Sequence, residues 1–429
     1  MSARSGGAGR PAPGVESLYA WVRLLVSLAV VTIGGVGMYA ATVVLPSIQS
    51  DFGVDRSGAS LPYAFTMIGF GLGGVVMGRL SDRFGIFAPL VVGTLGLSLG
   101  FVVAGTVGDI WGFDLVHGLL IGLLGTSATF APLVADASHW FTRRRGIAVA
   151  VCMSGNYLAG AIWPPVVQHF VAQDGWRHTY TGIGVFCLVS LLPLALCLRR
   201  RPPSVEVPLP AHATTVAARP RKPDRPLGMS PNTLLALLCV AGVACCVAMA
   251  MPQVQIVAYC GDLGYGAANG ANMLSLMLSM GIISRLGSGW LSDRIGGLRT
   301  LLLGSLLQGL ALWLYVFNQG LVSLYVVSAL FGLFQGGIVP AYAVIVREYF
   351  PPKVAGERVG TALMATLVGM ALGGWMSGAI YDITYSYHAA FLNGIAWNGL
   401  NAAIVIFLLY RSRRGRLSPR AGAAQVPGN

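Results

Sequence analysis

The chain is 429 residues long, 55% hydrophobic and only 10% charged, with a mean hydropathy of +0.70. A soluble fold this apolar would have no surface to give to water, which excludes an ordinary soluble enzyme or binding domain. The formal net charge of +13 invites a nucleic-acid reading, but the basic residues collect on one side of a series of apolar segments, so no nucleic-acid partner is expected.

In chain order, residues 1–20 are a Gly-, Ser-, Pro- and Arg-containing tail with no apolar core of its own. No cleavable signal peptide is expected there, and the first span acts as its own targeting signal. Apolar windows of about 20 residues, the length that crosses a hydrocarbon core of about 30 Å, follow at 22–46, 58–80, 86–108, 110–137, 146–172 and 178–198. The stretch 199–230 is basic and proline-broken, RRRPPSVEVPLP to RPRKPDRP, and reads as a cytoplasmic linker too polar to pack a core. Six more windows lie at 231–258, 267–291, 297–317, 320–346, 358–382 and 388–410, ahead of a basic tail at 411–429. All are continuously apolar and lack the alternation of transmembrane strands. The predicted fold is therefore all-α and polytopic, with twelve transmembrane helices in two six-helix bundles, 21–198 and 231–410, and a disordered cytoplasmic tail at 1–20.

With Met1 placed in the cytoplasm, 25 of the 28 Lys and Arg fall in the N-terminal tail, the even-numbered loops and the C-terminal tail. Arg56 and Arg177 lie instead among Asp51, Asp55, Asp109, Asp174, Asp262 and Asp382, and Arg285 lies within a span. The asymmetry predicts that both termini are cytoplasmic. Arg outnumbers Lys 26 to 2 in an Ala- and Gly-rich chain, a composition that suits a GC-rich bacterial genome and a bacterial inner membrane. The seven cysteines (Cys152, Cys187, Cys197, Cys239, Cys245, Cys246 and Cys260) sit in or at the edges of spans without metal-ligand spacing. Neither a disulfide nor a metal is expected, and no cofactor.

The two halves repeat one motif: GRLSDRFG at Gly78–Gly85 returns as GWLSDRIG at Gly289–Gly296, 211 residues later. A parallel repeat implies two bundles related by an axis along the membrane normal, with a site between them near the midplane. The motif, between the second and third spans of each half, resembles the signature loop of the major facilitator superfamily. LPSIQSDFGVDRS after the first span, WFTRRRGIAVAVCMSG leading into the fifth and GWR at Gly175–Arg177 resemble the branch holding the monocarboxylate transporters and the oxalate/formate exchangers. The resemblance covers residues 22–410. It implies that Gly78, Asp82, Arg83, Gly289, Asp293 and Arg294 form a conformational latch. On physical grounds Gly78 and Gly289 would let neighbouring helices approach closely, and Asp82 and Asp293 would accept hydrogen bonds from the start of the next helix. Arg83 and Arg294 would stay at the headgroups.

Arg285 is the most informative single residue. An Arg within a span is costly and usually faces a bundle interior or a pathway, and its repeat partner is Gly74, so the charge is not part of the shared scaffold. The window ending at 291 puts it about 6 residues, or about 9 Å, from the cytoplasmic end of its helix, from which it could also snorkel to the surface or pair with a carboxylate of the tenth or eleventh helix. The resembling families carry an Arg in the eighth span four residues before the signature Gly, as Arg285 precedes Gly289, and the resemblance implies that it binds the substrate carboxylate. Two departures matter. Monocarboxylate transporters place an Asp one turn before the Arg, where this chain has Gly281. The exchangers add a Lys in the eleventh span, where residues 359–381 carry no charge. A dianion beside a single Arg would leave one charge unpaired at a cost of several kcal/mol, so a small monocarboxylate is favoured.

For proton coupling the fourth span offers Asp114 and His117, three apart and so on one face; Asp114 could equally meet water beside Asp109 and Trp111. Asp136 and His139 repeat the spacing and are expected to form a network with the Arg143–Arg145 loop. Further candidates for substrate binding at midplane depth are Tyr39, Asn156, Tyr157, Gln253, Gln335 and Tyr342, with Trp163 and Trp375 at similar depth. No nucleophile, metal cluster or phosphate-cradling loop appears, so no enzyme is expected. The expected function is secondary transport of a small, lactate- or pyruvate-like organic anion across the bilayer, with H+ symport an option and one chain as the functional unit. An oxalate/formate-type exchanger, a drug or metabolite efflux carrier and a membrane sensor are the alternatives.

Overall fold

In lipid every backbone N–H and C=O must be satisfied within the protein, so an apolar chain crosses as helices. The computed structural model describes residues 16–141, 144–200, 226–317 and 320–417, and these are helical with no strand. The expected tail up to residue 15, the linker core at 201–225 and the tail from 418 onward lie outside the described residues.

Eleven helical segments are long and apolar enough to cross a membrane. One of them, Gly146–Cys197, turns at Gly175 through a φ of 78°, a left-handed conformation open to glycine, and is therefore two spans. The spans are α1 (Leu18–Phe52), α2 (Arg56–Phe84), α3 (Phe87–Thr106), α4 (Ile110–Trp140), α5 (146–174), α6 (176–197), α7 (Pro231–Asp262), α8 (Ala267–Ile295), α9 (Gly297–Phe317), α10 (Leu321–Tyr349), α11 (Val354–Thr384) and α12 (Tyr387–Arg413). Three are interrupted. α1 breaks at Gly35, α4 passes through a π-helical stretch at His117–Thr126, and α10 breaks between Gln335 and Ile338.

One apolar core is built entirely from residues of α1 and α3 to α6 and their margins, around Phe101, Phe113, Trp140 and Tyr180. Another is built from the C-terminal spans around Leu234, Tyr342 and Phe350. Large aliphatic side chains such as Val75, Leu99, Val189, Ile283, Leu306 and Val326 stay exposed on the outside, as a lipid-facing surface requires.

The halves meet unevenly along the membrane normal. At the end carrying the acidic loops, α2 packs on α11 so closely that a Cβ on Gly378 would lie 2.7 Å from the Arg56 carbonyl oxygen. Between α5 and α8 the seam runs antiparallel. The Ser275 hydroxyl donates to the Ala161 carbonyl, Leu278 fills the space at Gly160, Tyr157 fills that at Gly281, and Arg285 reaches Met153. Beyond Arg285 the seam opens. Val149 lines a cavity of about 540 Å³ with Val134, Ala135, Ser138, Gly146 and Arg347 at the basic end. Among the described residues the fold is thus closed at the acidic end and open at the basic end.

One buried ion pair braces the basic end of the first half. Arg23 of α1 donates to both Asp136 oxygens of α4 at 2.9 and 3.1 Å, with its guanidinium 4.8 Å from the Trp140 ring centroid. Arg143 of the expected network of Asp136 with the Arg143–Arg145 loop lies outside the described residues, and the partner of Asp136 among the described residues is Arg23. Asp136→Ala leaves a buried Arg unpaired and is expected to cost about 3–5 kcal/mol of stability. Thermal or denaturant unfolding in detergent would measure it, and an unchanged transition would refute it.

Candidate functional site

Arg285 lies ten residues before the end of α8 at Ile295, about 15 Å at the helical rise, where the apolar window gave about 9 Å to the helix end. The window stopped at Leu291 because the polar Ser292-Asp293-Arg294 run follows, yet the helix continues through it. Arg285 is half-buried and points from the second half to the first. Its Nη1 donates to the Met153 carbonyl at 3.3 Å, its guanidinium carbon sits 4.6 Å from the Tyr157 ring centroid, and its Nε is buried with no partner. None of the three ion pairs among the described residues includes it.

The neighbouring candidates fall into two groups. Tyr39 joins Arg285's surroundings: its hydroxyl donates to the Asn156 carbonyl at 3.2 Å, and its ring abuts Gly160. Gln253 of α7 donates to the Gln335 side-chain oxygen at 3.0 Å, leaving the fully buried Gln335 Nε2 without a partner. Gln335 ends the first part of α10, and the next residue, Gly336, packs on the Gly281 carbonyl and Ser284 Cβ of α8. α8 at Gly281–Arg285 is therefore flanked by Tyr157 on one side and the α10 break on the other. Tyr342 is placed elsewhere: its hydroxyl donates to Asn401 at 2.9 Å inside the second half. Trp163 donates its indole N–H to the Thr32 carbonyl, and Trp375 is exposed on the outside.

Asp114 and His117 are both fully buried. Asp114 does not meet water, and neither of its oxygens has a hydrogen-bond partner. His117 has both ring nitrogens engaged, Nδ1 with the Phe113 carbonyl at 3.0 Å and Nε2 with the Tyr180 hydroxyl at 3.3 Å. The two side chains share a helix and no hydrogen bond.

The signature loops depart from expectation. Among the described residues, a Cβ on Gly78 or Gly289 would meet no atom within 4 Å. Asp82 and Asp293 are exposed within the last turn of α2 and α8. The start of α9 is capped by Glu348 instead, whose Oε1 accepts from Gly297 N at 2.9 Å. Arg83 lies over Phe84 and Arg294 over Trp290.

A cluster at the acidic end was not singled out from the sequence. Arg56, only 5% exposed, donates through Nη2 to Asp262 of α7 at 2.9 Å. The Asp382 carboxylate of α11 accepts from the backbone N–H groups of Arg56 and Ser57 at 2.9 and 2.8 Å, capping α2 from the opposite half in a position where a negative charge suits the helix dipole. Tyr387 also donates to Asp262. The signal was present: Arg56 and Arg177 are the two basic residues on the acidic side. Arg177 pairs with Asp51 at 2.9 Å and donates to the Val107 carbonyl at 2.6 Å.

Comparison with known proteins fits this architecture. The sequence profile of the Major Facilitator Superfamily matches residues 26–317 and 266–427. The chain is similar to monocarboxylate transporter 13 of Rattus norvegicus, 29% identical over 310 residues that make up 68% of this chain and 66% of that protein. It thus spans about two thirds of that relative's length. It is also similar to the MFS-type transporter pynF of Aspergillus niger, 23% identical over 340 residues, 79% of this chain and 75% of that one. Among solved structures, a bacterial homolog of the human lysosomal transporter Spinster, in an inward-facing and occupied conformation, aligns with a TM-score of 0.69 at 14% identity, covering 93% of this chain and 98% of that one.

Proposed function

The chain belongs to the major facilitator superfamily, and from that premise we propose that it carries a small monocarboxylate, lactate- or pyruvate-like, by alternating access between its two six-helix halves. The observation that carries the reading is Arg285, a cation at the seam between the halves with no carboxylate paired to it among the described residues and a buried Nε donor unused there. A planar guanidinium suits bidentate binding of a carboxylate. Gln335 Nε2, buried without a partner beside α8, is the second donor we assign to the site, and Tyr39 and Asn156 stand behind it. With no charge at 359–381, one Arg neutralises one carboxylate, which favours a monoanion over an oxalate-like dianion. The unit is one chain, since both halves contribute to the site.

Should transport be coupled to protons, Asp114 is the residue we assign, because an ionised carboxylate buried without a partner costs several kcal/mol and a proton removes that cost. His117, with both nitrogens engaged, is the weaker candidate. The signature loops, open here, would form the latch when the basic end closes. Counterflow of a panel of radiolabelled small acids into proteoliposomes tests the substrate class. Monocarboxylates should exchange, and a strong preference for a dicarboxylate would overturn the reading.

The distribution of basic residues supports cytoplasmic termini, and the Arg-rich, Lys-poor composition supports a bacterial inner membrane. A cysteine placed within 205–225 should stay unlabelled by an impermeant thiol reagent outside intact cells, while one replacing Asn318 should label. External labelling of 205–225 would overturn this orientation.

A further inference from the structure

The residue one turn before Arg285 is Gly281, and the room its missing side chain leaves is occupied. A Cβ there would lie 2.3 Å from Cε1 and 2.6 Å from Cδ1 of Tyr157, closer than a side-chain carbon and an aromatic ring can stand. The Tyr157 ring, 8% exposed, thus rests on the α8 backbone at Gly281 and presents its face to the guanidinium 4.6 Å away. A cation over an aromatic face is stabilised by the ring quadrupole without being neutralised. The other group on Arg285, the Met153 carbonyl, is also neutral. Both come from α5, in the opposite half.

We propose, on the reading that Arg285 takes the substrate carboxylate, that Tyr157 seated on Gly281 is a positioning residue that holds Arg285 as an unneutralised cation, so that an anion binds there without displacing a carboxylate and without a proton to release one. The titratable groups beside Tyr157 and Arg285 are the phenol of Tyr39 of α1 and the thiols of Cys245 and Cys246 of α7, all uncharged, and no Asp, Glu or His side chain is bonded to Arg285 among the described residues. Arg285 and an ionised carboxylate at position 281 would form an internal pair, and the substrate would compete with it. Acid would relieve that competition by protonating the carboxylate. A ring at the same place has no such titration. The role differs from direct substrate contact, because the ring and the substrate approach the guanidinium from different directions: the ring covers one face, while carboxylate oxygens bind in its plane at the N–H edge.

The test uses the full chain in proteoliposomes with radiolabelled lactate as probe, each variant being checked for monodisperse elution and an intact thermal transition. Tyr157→Phe keeps the aromatic face and should hold the half-saturation concentration within about twofold, whereas Tyr157→Leu should raise it about tenfold. Gly281→Ala, which pushes the ring aside, should act like Tyr157→Leu. Installing the carboxylate in the cleared space, as Gly281→Asp with Tyr157→Ala, should raise the half-saturation concentration for lactate about tenfold over that of Tyr157→Ala alone, a penalty that shrinks as acid protonates the carboxylate. If Tyr157→Leu binds lactate like the wild type while Arg285→Ala does not, the positioning role is overturned and the carboxylate site stands. If Arg285→Ala also binds lactate normally, or the wild type carries none, the carboxylate reading falls and this inference falls with it.

Discussion

Arg285→Ala is expected to abolish saturable monocarboxylate counterflow, with a loss of about 2–5 kcal/mol in binding if the ion pair with the substrate is well desolvated. That range corresponds to a half-saturation concentration about 30-fold to several thousand-fold higher. The reasoning starts from the cost of the charge itself: an intramembrane Arg is retained against an insertion penalty of about 2.5–3.5 kcal/mol, and no acidic side chain offsets it here, since none of the ion pairs among the described residues includes it. Arg285→Lys keeps the charge and loses the planar fork, so it should bind more weakly than wild type and better than the Ala variant. Because Arg285 also touches Met153 across the seam, a thermal transition must accompany the transport assay to separate a lost anion site from a loosened interface. Normal monocarboxylate affinity in a folded Arg285→Ala protein would refute the assignment.

How far the sequence carried this picture can be read from single residues. The spans were legible because hydropathy integrates over about 20 residues and lipid leaves no alternative to helix. Their ends were not, because a helix continues wherever its backbone bonds continue: Arg285 stands ten residues from the end of its helix, and not six, because α8 runs on to Ile295. Helix faces were the larger loss. In a segment that is apolar all round, nothing in the spacing says which side meets lipid, and so Tyr342 was grouped with Tyr157 although it turns inward to Asn401. What settles faces is steric: Tyr157 reaches Arg285 because Gly281 leaves a notch for its ring. Partners distant in sequence were also hidden, as Arg23 and Asp136 stand 113 residues apart. The expected close approach at Gly78 and Gly289 depends on which end of the transporter is closed, and a sequence holds no single state.

Asp262→Asn is expected to weaken closure of the acidic end by about tenfold in the ratio of closed to open forms, about 1.4 kcal/mol. Closure there joins three spans across the halves: Arg56 of α2 is 5% exposed, bonded to Asp262 of α7, and has its guanidinium 4.9 Å from the Tyr381 ring centroid of α11. Its Nε and Nη1 are buried without partners, so Asp262 is the one anion that compensates its side chain among the described residues, while Asp382 holds the backbone of Arg56 and Ser57. The Asp262 side chain is 37% exposed, which is why the figure is kept near one tenfold step and below the cost of breaking a fully buried pair. Ser60 of α2 and Ser377 of α11 both accept from the Gln255 amide, at 3.0 and 3.1 Å, so cysteines at these two positions report the closed form by cross-linking. The pair should cross-link rapidly on the wild-type background and more slowly with Asp262→Asn, and exchanging the charges as Arg56→Asp with Asp262→Arg should recover part of the rate. Binding of substrate from the basic side should survive in Asp262→Asn, since Arg285 lies at the other end of the closed seam. Equal cross-linking rates in wild type and Asp262→Asn would show that the Arg56 pair contributes nothing to closure and that Asp382 and the close contact at Gly378 hold the acidic end by themselves.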